Sequence, residues 1–76
     1  MKRDILYQAN YRYNFDRDIY VNPTVKKAFS LAFVDNHDEK ELMSRIQETT
    51  SGEKWKFYFN AEPSEGVKRA LESILG

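Results

Sequence analysis

From residue 5 to residue 15 the chain alternates. Ile5, Tyr7, Ala9, Tyr11, Tyr13 and Phe15 take the odd positions, and Gln8, Asn10, Arg12 and Asn14 take even ones. Period-two alternation of β-favouring side chains predicts a strand with one buried face, bent near Ala9-Asn10. Asp16-Arg17-Asp18 separates it from Ile19-Tyr20-Val21. A two-residue loop would mix apolar with polar positions, whereas a three-residue loop sets Ile19 opposite Phe15 and Val21 opposite Tyr13. The pattern therefore predicts a hairpin with Asp16 to Asp18 as its loop and Asp18 in a left-handed conformation.

Asn22-Pro23 is a helix-start signal, with Asn as the cap and Pro in the first turn, where its missing N–H costs nothing. Val25, Ala28, Phe29, Ala32 and Phe33 follow at helical spacing, so residues 23–34 are expected to form an amphipathic helix. A strand competes over Phe29 to Val34, because Phe29, Leu31 and Phe33 also alternate. Asn36 with Glu39 reads as a capping box opening a second helix. Leu42, Met43 and Ile46 form its apolar stripe, and Thr49 to Gly52 end it.

Lys54 to Asn60 predicts a strand, with Trp55, Phe57 and Phe59 on one side and Lys54, Lys56, Tyr58 and Asn60 on the other. Pro63-Ser64-Glu65 opens a last helix, whose Val67, Ala70, Leu71, Ile74 and Leu75 follow the helical repeat and whose C-cap is Gly76. The expected fold is one α+β domain over residues 1–76. Its small antiparallel sheet, the N-terminal hairpin plus one later strand, is packed on one face by three helices, in the order β-β-α-α-β-α. The opposite face would then stay open, presenting Gln8, Asn10, Arg12 and Asn14 beside Lys54, Lys56, Tyr58 and Tyr20.

Composition narrows the function classes. At 76 residues, 41% apolar and 32% charged, the chain is too apolar for disorder and too charged for a membrane span. It has no cysteine, which removes disulfides, zinc–thiolate sites, iron–sulfur clusters and thiol nucleophiles. No apolar run follows Lys2-Arg3, so neither a signal peptide nor a membrane anchor is expected, and a cytoplasmic setting fits. A core this small leaves only a few kcal/mol of net stability. Eleven aromatics enlarge that margin, and a homodimer would be another solution.

Lys plus Arg and Asp plus Glu balance at twelve each, but unevenly along the chain. Residues 1–34 carry +3, residues 35–53 carry −4 and residues 54–76 carry +1. Such segregation can orient a small domain on a protein partner.

Catalytic signals are thin. His37 is the single histidine and lies in the acidic run from Asp35 to Glu41. It could join Glu41 or Asp38 at a metal, but metal sites need more ligands at defined spacing, and a solvated helix start is the plainer reading. Asp16 and Asp18 flank an exposed loop with nothing to separate their pKa values. The five serines lack nucleophile-elbow or triad context. Ser64-Glu65-Gly66 could offer amides to a phosphate, but Glu62 and Glu65 would repel it.

The run Lys54-Trp55-Lys56-Phe57-Tyr58-Phe59 interleaves bases with aromatics, as sheet-based single-strand binders do. It has no RRM-type aromatic motif, and the element order differs from that fold. The expected function is therefore a non-enzymatic protein–protein interaction domain without metal or cofactor. It would bind through the open sheet face, anchored by Arg12 and Tyr58 beside Lys54 and Lys56, or through Asp38, Glu41 and Glu48 on the acidic second helix. The alternative is a single-stranded RNA or DNA binder using Arg12, Lys54, Lys56 and Tyr58.

Overall fold

The computed structural model describes residues 1–50, 54–61 and 63–75. The expected helix stop at Ser51-Gly52, the carboxylate of Glu62 and the C-cap at Gly76 lie outside the described residues. The elements run α1 (Lys2–Gln8), β1 (Arg12–Asn14), β2 (Ile19–Asn22), β3 (Lys27–Ser30), α2 (Leu31–Asn36), α3 (Glu39–Gln47), β4 (Lys56–Tyr58) and α4 (Glu65–Leu75). The expected α+β class, N-terminal hairpin, later strand and last helix are all present. The sheet is mixed, in the order β1-β2-β3-β4: β1 and β2, then β2 and β3, pair antiparallel, while β3 and β4 are parallel.

Three segments differ from the expected pattern. The long strand over residues 5–15 is instead α1 followed by a turn and the short β1. Lys2, Ile5, Leu6 and Ala9 fall at helical spacing and turn inward, with Leu6 fully buried and Tyr7 exposed. The expected bend is the left-handed Asn10, at φ 71°. The hairpin loop holds four residues rather than three, since Asn14 pairs with Ile19, Tyr13 with Tyr20 and Arg12 with Val21. Asn14 organises it, its Oδ1 accepting the amides of Asp16 (3.0 Å) and Arg17 (3.2 Å). Asp18 is left-handed as expected, at φ 52°.

The helix expected over residues 23–34 is a turn, a strand and a short helix. Asn22 is buried instead of capping: its Nδ2 donates to the Ala9 carbonyl at 3.1 Å, and its Oδ1 accepts the Thr24 amide at 3.1 Å. β3 is covered on both faces, so its sequence Lys-Ala-Phe-Ser shows no amphipathic alternation. Ser30 ends it and caps α2, its hydroxyl accepting the Phe33 amide at 3.0 Å. The cap of α3 is likewise not Asn36 but Asp38, whose Oδ1 accepts the Glu41 amide at 2.8 Å.

The sheet is covered on both faces. On one, Tyr13, Tyr20, Phe29 and Tyr58 stand in register across all four strands. Phe29 stacks on Tyr58 at 4.7 Å, and Leu6, Phe33, Val34 and Leu42 from α1, α2 and α3 close over them. On the other, Ile19 and Ala28 pack with Leu71 of α4, flanked by Val21, Trp55, Phe57, Phe59 and Leu75. Three helices therefore do cover one face, but it is the face of Tyr20 and Tyr58, expected to be open, while the face of Phe57 lies under α4. No helix among the described residues is long and apolar enough to cross a membrane.

Candidate functional site

Side chains from β3, β4 and α3 meet where α3 ends. Lys27, only 3% exposed, donates its ammonium to the carbonyls of Arg45 and Ile46, each at 3.0 Å, and to that of Glu48. At this helix end, among the described residues, only the Arg45 carbonyl also takes a backbone amide, that of Glu48 at 3.3 Å, so a strand lysine caps the helix and complements its dipole. Burial pushes the Lys27 ammonium below the ordinary lysine value, with Glu48 opposing the shift. Lys2 does the same for α2, donating to the Val34 carbonyl at 2.8 Å.

Tyr58 and Glu48 join this group. The Tyr58 phenol donates to Glu48 Oε1 at 2.5 Å. Glu48 also accepts from Arg45 at 3.2 Å, and Arg45 reaches Glu41 at 2.9 Å. Tyr58 is held above the usual phenol value, chiefly by burial and then by its bond to Glu48. The hydrogen bond from Tyr58 holds the Glu48 carboxyl below its usual value, and Arg45 helps. Lys56 lies 5.7 Å from the Tyr58 ring. Of the sequence candidates, the fold thus gathers Tyr58, Lys56, Glu41 and Glu48, on the face packed by α3.

Arg12 and Lys54 lie elsewhere. By register Arg12 belongs to the row of Val21, Ala28 and Phe57, on the side of the sheet opposite Lys56 and Tyr58. Its guanidinium folds back 4.2 Å over the Tyr7 ring and donates to the carbonyls of Tyr7 (3.2 Å) and Tyr11 (3.0 Å). Lys54 lines a cleft against α4 together with Lys26, Trp55 and Arg69. Tyr58 is 7% exposed, so its ring offers no stacking surface to a base. Arg12, Lys54, Lys56 and Tyr58 therefore share no open face.

Asp38 is used as the cap of α3, and His37 is held by its own helix. The ring of His37 stacks on Phe33 at 4.0 Å, with Nδ1 2.9 Å from the Phe33 carbonyl. Among the described residues no three His, Asp or Glu side chains are placed to hold one metal ion.

The surface around β1 was not legible as a unit. Tyr7 is 64% exposed and Phe15, at the hairpin turn, is 84% exposed, with its ring 5.0 Å from that of Tyr13. The Tyr7–Arg12 stack holds both side chains in fixed orientations on an outer strand of the sheet. Strand alternation hid this group by assigning Tyr7 and Phe15 to the core; the adjacent Ile5-Leu6 pair was the signal for a helix instead. Compared with known proteins, the chain matches no family model, and no curated protein or solved structure is significantly similar to it.

Proposed function

We propose that this chain is a non-enzymatic protein-interaction domain, docking its partner through the surface around β1 that carries Tyr7, Arg12 and Phe15. The observation that carries this reading is two aromatic rings left in water on either side of β1 in the chain, Phe15 above all and Tyr7, the latter with an arginine fixed over it. Tyr and Arg are enriched among residues that dominate binding energy, and a side chain ordered beforehand loses less entropy on docking. The acidic helix α3 is the weaker candidate, because Arg45 already pairs with Glu41 and Glu48, and Asp38 serves as a cap. A cysteine-free chain also fits a reducing, cytoplasmic setting.

Photo-crosslinking tests this. A photoreactive residue at position 15 should give one discrete adduct in cells, lost when Arg12→Ala is added, while circular dichroism stays unchanged. An adduct indifferent to Arg12→Ala, or adducts only from a probe at Gln47 on α3, would remove the β1 surface from contention. Sedimentation equilibrium on the same variants separates a heterologous partner from a second copy of the chain.

A further inference from the structure

The cleft beside α4 gathers basic side chains from three parts of the chain. Lys26 and Lys54 stand just before β3 and β4, which run parallel, so both lysines sit at the same end of the sheet. Lys68 and Arg69 face them from α4, and the half-buried Trp55 forms a wall. The half-open cleft has a volume of about 630 Å³, inside the range of small-ligand sites at ~300–1,000 Å³. Four basic side chains thus line one cleft, in a chain of zero net charge, with Glu65 and Glu72 as the acids among the described lining residues and Lys68 already paired with Glu65.

Two of the walls are fixed. Lys26 is left-handed, at φ 55°, and its carbonyl accepts the Lys56 amide at 2.9 Å, which ties the entry of β3 to that of β4. A lysine held there is strained where glycine would not be. Trp55 lies parallel to Phe57, at 10° and 6.1 Å between ring centroids, so the indole is braced by its strand neighbour.

We propose that this cleft binds a free nucleoside phosphate. The lysine and arginine side chains take the phosphate oxygens, with Arg69 able to do so in bidentate fashion. The indole offers a stacking surface to the base, an interaction open to any base. Lys68 already lies 3.7 Å from Glu65, while Glu72 is placed to accept from a ribose hydroxyl or a base amino group. The two carboxylates repel any phosphate chain alike, so it is the ribose and base donors, which they can accept, that favour a nucleoside phosphate over bare polyphosphate. Convergence on one cleft, rather than a stripe along the surface, decides against a nucleic-acid strand.

Trp55 is the only tryptophan, so its fluorescence reports on the cleft directly. ATP added to the full chain should produce a saturable change in Trp55 emission. Lys54→Ala with Arg69→Ala, both exposed positions, should weaken the affinity at least about tenfold, with the thermal melt unchanged. Lys40→Ala, on α3, should leave the titration as it is. The proposal is overturned by the absence of a saturable change up to ~10 mM ATP, or by a titration indifferent to the double substitution. Tripolyphosphate binding as tightly as ATP would also overturn it, as would a labelled single-stranded oligonucleotide binding where ATP does not.

Discussion

Lys27 Nζ, carried by β3, donates to the carbonyl oxygen of Ile46 in the last turn of α3 at 3.0 Å. One buried ammonium thereby joins the sheet to the helix that covers it and satisfies several backbone acceptors together. Lys27→Met keeps the apolar stem but removes every donor. We expect it to cost about 2 kcal/mol, the range for hydrogen bonds to a charged group. The same change at the exposed Lys40 should stay within about 0.5 kcal/mol. In urea unfolding, the loss should appear as a lower midpoint at unchanged slope.

Tyr58→Phe removes the donor to Glu48 and leaves the ring in the core. At neutral pH a drop in melting temperature of about 4 °C is expected. The dependence on pH has a definite sign. Glu48 sits below its ordinary value of 4.5, so its contribution is present above that pH and fades as pH falls beneath it. Tyr58 sits above its ordinary value of 10.0, so its contribution is present below that pH and fades as pH rises past it. The gap between wild type and Tyr58→Phe should therefore be widest between about pH 5 and 10 and narrow at both ends.

Tyr11 gives the opposite result at neutral pH. Its hydroxyl is buried and finds no hydrogen-bond partner among the described residues. Tyr11→Phe should be neutral or stabilising, by up to about 1 kcal/mol, because it removes an unsatisfied group and keeps the ring against Phe29. Burial also pushes the Tyr11 phenol up to about 12 from 10.0. Its contribution is complete below 10.0 and is lost as pH climbs toward the folded value, a loss the phenylalanine variant escapes. Thermal melts taken from pH 8 to ~11 should show the two curves diverging above pH 10.

Coverage of the second sheet face is tested on α4. Leu71 is buried against Ile19 and Ala28, whereas Ile74 on the same helix is 51% exposed. Leu71→Ala should cost about 3 kcal/mol and raise hydrogen exchange along the whole helix. Ile74→Ser should change stability by no more than about 0.5 kcal/mol.

β4 was the most legible part of the fold. Trp55, Phe57 and Phe59 do share one side, and Tyr58 the other. What alternation along a strand cannot reveal is whether a second layer covers the other side, and Tyr58, read as wet, is held under α3. β3 was hidden for a related reason. A strand buried on both faces loses its period, so Lys26-Lys27-Ala28 looked like helix on local propensity, and Lys27 could be understood only once the end of α3 lay above it. In the candidate site, Glu48 and Tyr58 were singled out on separate elements. Their bond across ten residues became visible only with the parallel pairing of β3 and β4 in place.

That parallel pairing has a consequence for how the chain is made. Strand β4 docks beside β3 only after α2 and α3 have doubled back, because parallel neighbours cannot be joined by a tight turn. A nascent chain that has emerged only as far as Gln47 carries β3 with one side unpaired and Phe29 without its stacking partner. Until residues 56–58 dock, that bare rim of backbone is where two partly folded copies would adhere, so late closure of the sheet is the step at which assembly competes with clumping.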